Sequence, residues 1–117
     1  MSLLEDLRKA YAFHLENEWC QHVSRYRFDD GRFAYCAAGA VFYALGRECG
    51  PCKAGCDPHM EHTPESTAVI QALCQTAGDL HDAHGIVHYN DAVATSKADV
   101  SLIFEQTIRR LEAEGEQ

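Results

Sequence analysis

The run Phe33-Ala-Tyr-Cys-Ala-Ala-Gly-Ala-Val-Phe-Tyr-Ala-Leu45 constrains this chain more than any other stretch. It is apolar nearly all round, and a helix without a polar face has to lie inside its fold. Ala37, Ala38, Gly39 and Ala40 would let a neighbour come close, and Gly46 is a natural stop. Three further segments are amphipathic at helical spacing. The first spans 3–18, with Ser2 and Glu5 in a capping-box pattern and Leu4, Leu7, Tyr11 and Leu15 as its stripe, Leu3 and His14 beside them. Another spans 64–77, with Thr63 as N-cap, Pro64 at the first helical position and Gly78 as its end. Its inner face is Val69, Ile70, Leu73, Cys74 and Ala77. The last spans 97–114, opened by Ser96 and Asp99 and striped by Val100, Ile103, Phe104, Ile108 and Leu111.

The expectation is therefore an all-α chain, a single compact domain over 1–117 of about four helices, with a Cys/His-rich loop between helices 2 and 3. Residues 21–32 read as a surface turn. Ile86-Val87-His88-Tyr89 allows at most a short strand near 86–89, and one short strand makes no sheet. A chain of 117 residues with 46% hydrophobic content buries enough surface to fold without a staple.

Charge and hydropathy narrow the partners. No apolar run approaches the roughly 20 residues of a membrane span. Glu5 and Asp6 stand where a secretory signal needs positive charge, so a cytoplasmic protein is expected. Eighteen acids against ten bases give a net charge of −8, the wrong sign for nucleic acid or an anionic membrane surface. A dispersed acidic surface keeps a protein soluble and suits a basic protein partner. A decoy that mimics nucleic acid is the sharper form of that reading.

The segment Cys49-Gly-Pro-Cys-Lys-Ala-Gly-Cys-Asp-Pro-His-Met-Glu-His62 concentrates soft ligands. In a reducing compartment a Cys/His cluster leans to metal. Zinc takes four ligands in a tetrahedron, and Cys49, Cys52 and Cys56 with His59 or His62 would supply them. Gly50, Pro51, Gly55 and Pro58 permit the bends. The spacing lacks the long gap of the usual paired motifs. With three protein ligands the metal would keep an open position, and Glu61 would be a candidate base. The competing readings are an exposed loop with incidental thiols, or a small disulfide, Cys49–Cys56 or Cys52–Cys56.

Cys36 lies near the start of the buried helix, where the helix dipole can activate a thiol. With His88 as base and Asn90 or Asp91 as orienting group it would make a cysteine hydrolase. Its apolar neighbours favour the plainer reading, a small core residue, as for Cys20 and Cys74, with Trp19 as a core anchor. Asp79, His81, Asp82, His84, His88 and Asp91 lie close in sequence, and they read as a polar loop in which Asn90-Asp91 caps the entry to the last segment.

Three short motifs, Trp19-Cys20-Gln21, Tyr35-Cys36-Ala37-Ala38-Gly39-Ala40 and His88-Tyr89-Asn90-Asp91, occur in an order that resembles a family of small actinobacterial and phage proteins, the DUF6197 type. Its members read W-C-Q, then W-C-A-L-G-A, then W-N-D before a final helix. Tyr35 and Tyr89 stand here where that pattern has Trp. The resemblance covers most of the chain and implies a compact helical fold and a phage association, with no activity. Together these readings favour a small interaction or accessory protein holding one zinc, with a cysteine- or metal-dependent hydrolase as the alternative.

Overall fold

The computed structural model describes residues 2–48 and 60–115. The protein is mostly helical. Helix α1 (Leu3–Glu16) leads into strand β1 (Glu18–Trp19). Strands β2 (Arg25–Arg27) and β3 (Phe33–Tyr35) follow, then helix α2 (Ala37–Leu45). Strands β4 (Arg47–Glu48) and β5 (Met60–Glu61) flank the segment 49–59. Helix α3 (Pro64–His81), the short helix α4 (Ile86–His88), a π-helical turn (Tyr89–Val93) and helix α5 (Lys97–Ala113) complete the chain.

Each long helix buries one stripe. In α1 the buried residues are Leu4, Asp6, Leu7, Ala10 and His14. In α3 they include Val69, Leu73 and Ala77, and in α5 Val100, Ile103 and Phe104. Leu7 and Ala10 of α1, these residues of α3 and α5, Ala37 and Val41 of α2, and Ile86 and Tyr89 belong to one hydrophobic cluster. Helix α2 packs against both α1 and α3, as its apolar composition requires. Leu15 departs from the expected stripe: it is half exposed, and His14 takes the inward position instead.

The all-α expectation is corrected by two small sheets, β1-β3-β2 and β4-β5. Residues 33–35 are a strand, so α2 starts at Ala37 rather than at Phe33. That strand is the centre of a small mixed sheet in the order β1-β3-β2. Glu18 and Trp19 pair in parallel with Ala34 and Tyr35, while Arg25–Arg27 pair antiparallel with Tyr35–Phe33. The stretch read as a surface turn thus supplies one arm of a hairpin. Residues 86–89 are helical rather than extended, because Gly85 at φ 148° starts a helical turn there and only glycine takes that conformation readily.

Helix ends differ as well. Gly78 does not stop α3, which runs to His81 and ends on Asp82 in a left-handed conformation. Ser96 makes no side-chain cap. Asp99 Oδ2 accepts instead from the N–H and hydroxyl of Thr95, at 2.9 and 3.0 Å. Thr63 does cap α3, in a reciprocal box with Ser66.

Candidate functional site: three motifs joined at Asn90

The π-helical turn sets the centre of the site. Ala94 N–H donates to Tyr89 O at 2.8 Å, five residues back, and the wider turn holds Asn90 fully buried. Short π segments of this kind often carry function. Asn90 Oδ1 accepts from Trp19 Nε1 and from the backbone N–H of Ala37, both at 2.8 Å. Its Nδ2 donates to Cys20 O at 3.2 Å and to Asp91 Oδ1 at 2.8 Å. Gln21 Nε2 donates to Asn90 O and Ala94 O, at 2.9 and 3.1 Å. Asp91 Oδ1 also accepts the N–H of His22, whose φ of 73° is left-handed.

One side chain therefore ties the end of β1, the first turn of α2 and the π-helical turn together. Ala37 is the first residue of α2, and its N–H has no partner within the helix. Asn90 supplies that partner. The third orphan donor, Gly39 N–H, is met by Cys36 Sγ at 3.2 Å, so Cys36 is the N-cap of α2. Gly39 is fixed by sterics: a Cβ there would stand 2.0 Å from the carbonyl oxygen of Ser24, which accepts Cys36 N–H at 3.2 Å.

Around this hub lie two thiols and a carboxylate. Cys36 is 6% exposed, and burial pushes its thiol up. Cys20 is half-buried, and burial with the neighbouring Cys36 pushes its thiol to about 11. Both therefore stay protonated near neutral pH. His88 is elsewhere engaged: its Nδ1 accepts the N–H of His84 at 3.0 Å, and the two rings meet edge to face at 4.8 Å. Among the described residues no hydrogen bond joins His88 to Cys36. Asp91, the expected orienting group, bonds Asn90 and His22 instead. His81 Nε2 pairs with Gln106 Oε1 at 2.8 Å.

Of the expected zinc ligands, Cys49, Cys52, Cys56 and His59 lie outside the described residues. His62 is within them. Its ring stacks on Phe42 at 4.3 Å, and its Nδ1 is 3.2 Å from Ser66 Oγ. Ser66 Oγ already donates to Thr63 O, so Nδ1 carries the proton in that contact and Nε2 keeps its lone pair. No group of three or more metal-binding side chains occurs among the described residues. None of their helices is long and apolar enough to cross a membrane.

Sequence reasoning placed Trp19 and Cys36 in the interior but missed the role of Asn90 and Gln21. The signal was present as hydrogen-bonding residues inside the motifs: Trp19, Gln21 and Asn90. Asn90-Asp91 does not cap the last helix. It holds the start of α2.

No curated protein and no solved structure matches the chain. The family DUF6197, a family of unknown function, matches residues 1–110, which include all three motifs joined at Asn90, and the chain belongs to that family.

Proposed function

We propose that this protein is a small accessory protein that binds a basic protein partner, with one structural zinc held by Cys49, Cys52 and Cys56 and by His59 or His62. The observation that carries the non-catalytic reading is the engagement of Cys36. A nucleophile needs an accessible thiolate and a base in reach. Cys36 is buried, stays a thiol near neutral pH, and caps α2. The cysteine-hydrolase form of the alternative needs His88 as its base, and the Nδ1 of His88 is engaged with His84.

Two observations support the rest. Carboxylates such as Glu5, Glu16, Asp29, Glu65 and Asp82 are exposed on several elements, and the net charge is −8. Such a surface attracts cationic partners at long range. For the metal, β4 and β5 pair Arg47 with Glu61 and Glu48 with Met60, so both ends of the cysteine-bearing segment start from one place near His62. The His62 tautomer suits a ligand, because a metal-binding imidazole usually donates its other N–H to a nearby acceptor. Four protein ligands would leave the ion no open position, and its contribution would be to the fold.

Native mass spectrometry with elemental analysis tests the metal, and titration with a fluorescent Lys/Arg-rich peptide tests the partner class. The expected results are one zinc per chain, lost with chelator together with stability, and peptide binding that weakens as salt rises. A metal-free protein with its thiols free would overturn the zinc. Equal affinity for basic and acidic peptides would overturn the partner.

A further inference from the structure

The parallel ladder between β1 and β3 pairs Glu18 with Ala34 and Trp19 with Tyr35. The next step of that register sets Cys20 opposite Cys36. The backbone carries the pairing that far, since Cys20 N–H donates to Tyr35 O at 3.2 Å. Neighbouring strands lie about 4.8 Å apart, and opposed residues of a parallel pair point to the same face. That spacing falls in the range a disulfide spans, about 4.4–6.8 Å between Cα atoms. Both thiols feel the same Asp91 carboxylate, and Cys20 feels Cys36 directly. The register therefore sets the two cysteines opposite one another beside Asn90, which bonds the carbonyl of Cys20 and the N–H of Ala37.

We propose that Cys20 and Cys36 are a reversible dithiol–disulfide pair, a redox modification site that links the end of β1 to the start of α2 when a small-molecule disulfide of the glutathione type is present. Cys20, the more exposed thiol, reacts first. Its thiolate attacks one sulfur of the small disulfide, forms a mixed disulfide and releases one thiolate. The Cys36 thiolate then attacks the Cys20 sulfur, closes the protein bridge and releases the second thiolate. The protein loses two electrons, the small disulfide gains them, and the two protons from the cysteines end on the two released thiols. Because burial keeps both thiols protonated, closure is slow at neutral pH and accelerates as the thiolate fraction grows. This pair is independent of the zinc reading, which uses other cysteines.

The full chain, equilibrated with oxidised and reduced glutathione and then alkylated, provides the test. Trypsin separates the two residues, since Cys20 falls in Ala10–Arg25 and Cys36 in Phe33–Arg47. The expected product is these two peptides joined, two hydrogens lighter than their sum. Its rate of formation should rise about tenfold per pH unit between about pH 7 and 9. Cys36→Ser, which keeps a capping oxygen, should instead hold glutathione on Cys20, and Cys20→Ser should leave Cys36 unlinked. Recovery of both wild-type peptides singly, alkylated or carrying glutathione, would overturn the proposal.

Discussion

Asn90 holds the first residue of helix α2 from across the fold: its Oδ1 accepts the backbone N–H of Ala37 at 2.8 Å. The same oxygen accepts the indole N–H of Trp19 at 2.8 Å. Both donors belong to motifs more than fifty residues upstream in the chain, and Asn90 itself is fully buried. Removing one partner of a buried hydrogen bond leaves the other unsatisfied, at about 1–3 kcal/mol for each group. Asn90→Ala strands two donors and opens a cavity, so a loss of about 3–5 kcal/mol is expected in urea or guanidinium unfolding. Asn90→Asp keeps the acceptor but loses the Nδ2 donors and sets a charge beside Asp91. Its stability should therefore fall as pH rises through the carboxylate range. An Asn90→Ala protein as stable as the wild type would remove the hub from this account.

Gly39→Ala should be strongly damaging for the addition of a single methyl. The new Cβ would overlap the Ser24 carbonyl, which is backbone and itself bonded to Cys36 N–H. Relief requires the β1–β2 connection to move away from α2. A loss on the order of 3 kcal/mol or more is expected, whereas a Cβ at Gly31 would meet nothing within 4 Å. Gly31 has φ 91°, so its own substitution carries about 1 kcal/mol of backbone strain. Thermal melts of the two variants separate the steric effect from the conformational one.

The long helices were legible because each shows a stripe with period near 3.6, and α2 was legible because it shows no polar face at all. Strand β3 was not, because Phe33-Ala-Tyr35 continues the apolar run of α2 without a break, and a short apolar run looks alike in either state. What separates them is tertiary: β1 and β2 pair with residues 33–35 from both sides. Residues 86–89, which allow at most a short strand by sequence, are helical for the converse reason, since their β-branched residues follow Gly85, whose backbone opens a helical turn. Within the site, the motifs themselves were visible. Their convergence was not, because a hydrogen bond from Trp19 to Asn90 leaves no periodicity in sequence.

Cys36 acts on stability as a cap. Its Sγ accepts from Gly39 N–H at 3.2 Å in a buried place. Serine offers a stronger acceptor of similar shape and alanine none. Cys36→Ser is therefore expected to match or exceed the wild type, and Cys36→Ala to lose about 1 kcal/mol. Chemical denaturation with reductant present, which keeps the thiols free, measures both. Equal stabilities for Ser and Ala would mean the thiol does not cap the helix.

His14 gives the fold an acid-sensitive point. Its ring is 2% exposed, lies against Phe104 at 5.1 Å, and its Nε2 is 2.9 Å from Ser101 Oγ. Ser101 Oγ donates to Lys97 O, so Nε2 carries the proton as donor in a neutral ring. Burial, with the Lys97 ammonium adding to it, lowers the pKa from 6.5 to about 4. A group whose folded pKa is depressed stabilises the fold above its unfolded value. For His14 that contribution is complete above about pH 6.5 and is lost as pH falls from there to about 4. It amounts to at most about 3 kcal/mol. His14→Gln keeps an N–H donor toward Ser101 and cannot titrate, so its stability should change less between pH 7 and pH 4 than that of the wild type. Unfolding free energies of the two proteins at a series of pH values make the comparison, and parallel curves would show that His14 is not the titrating group.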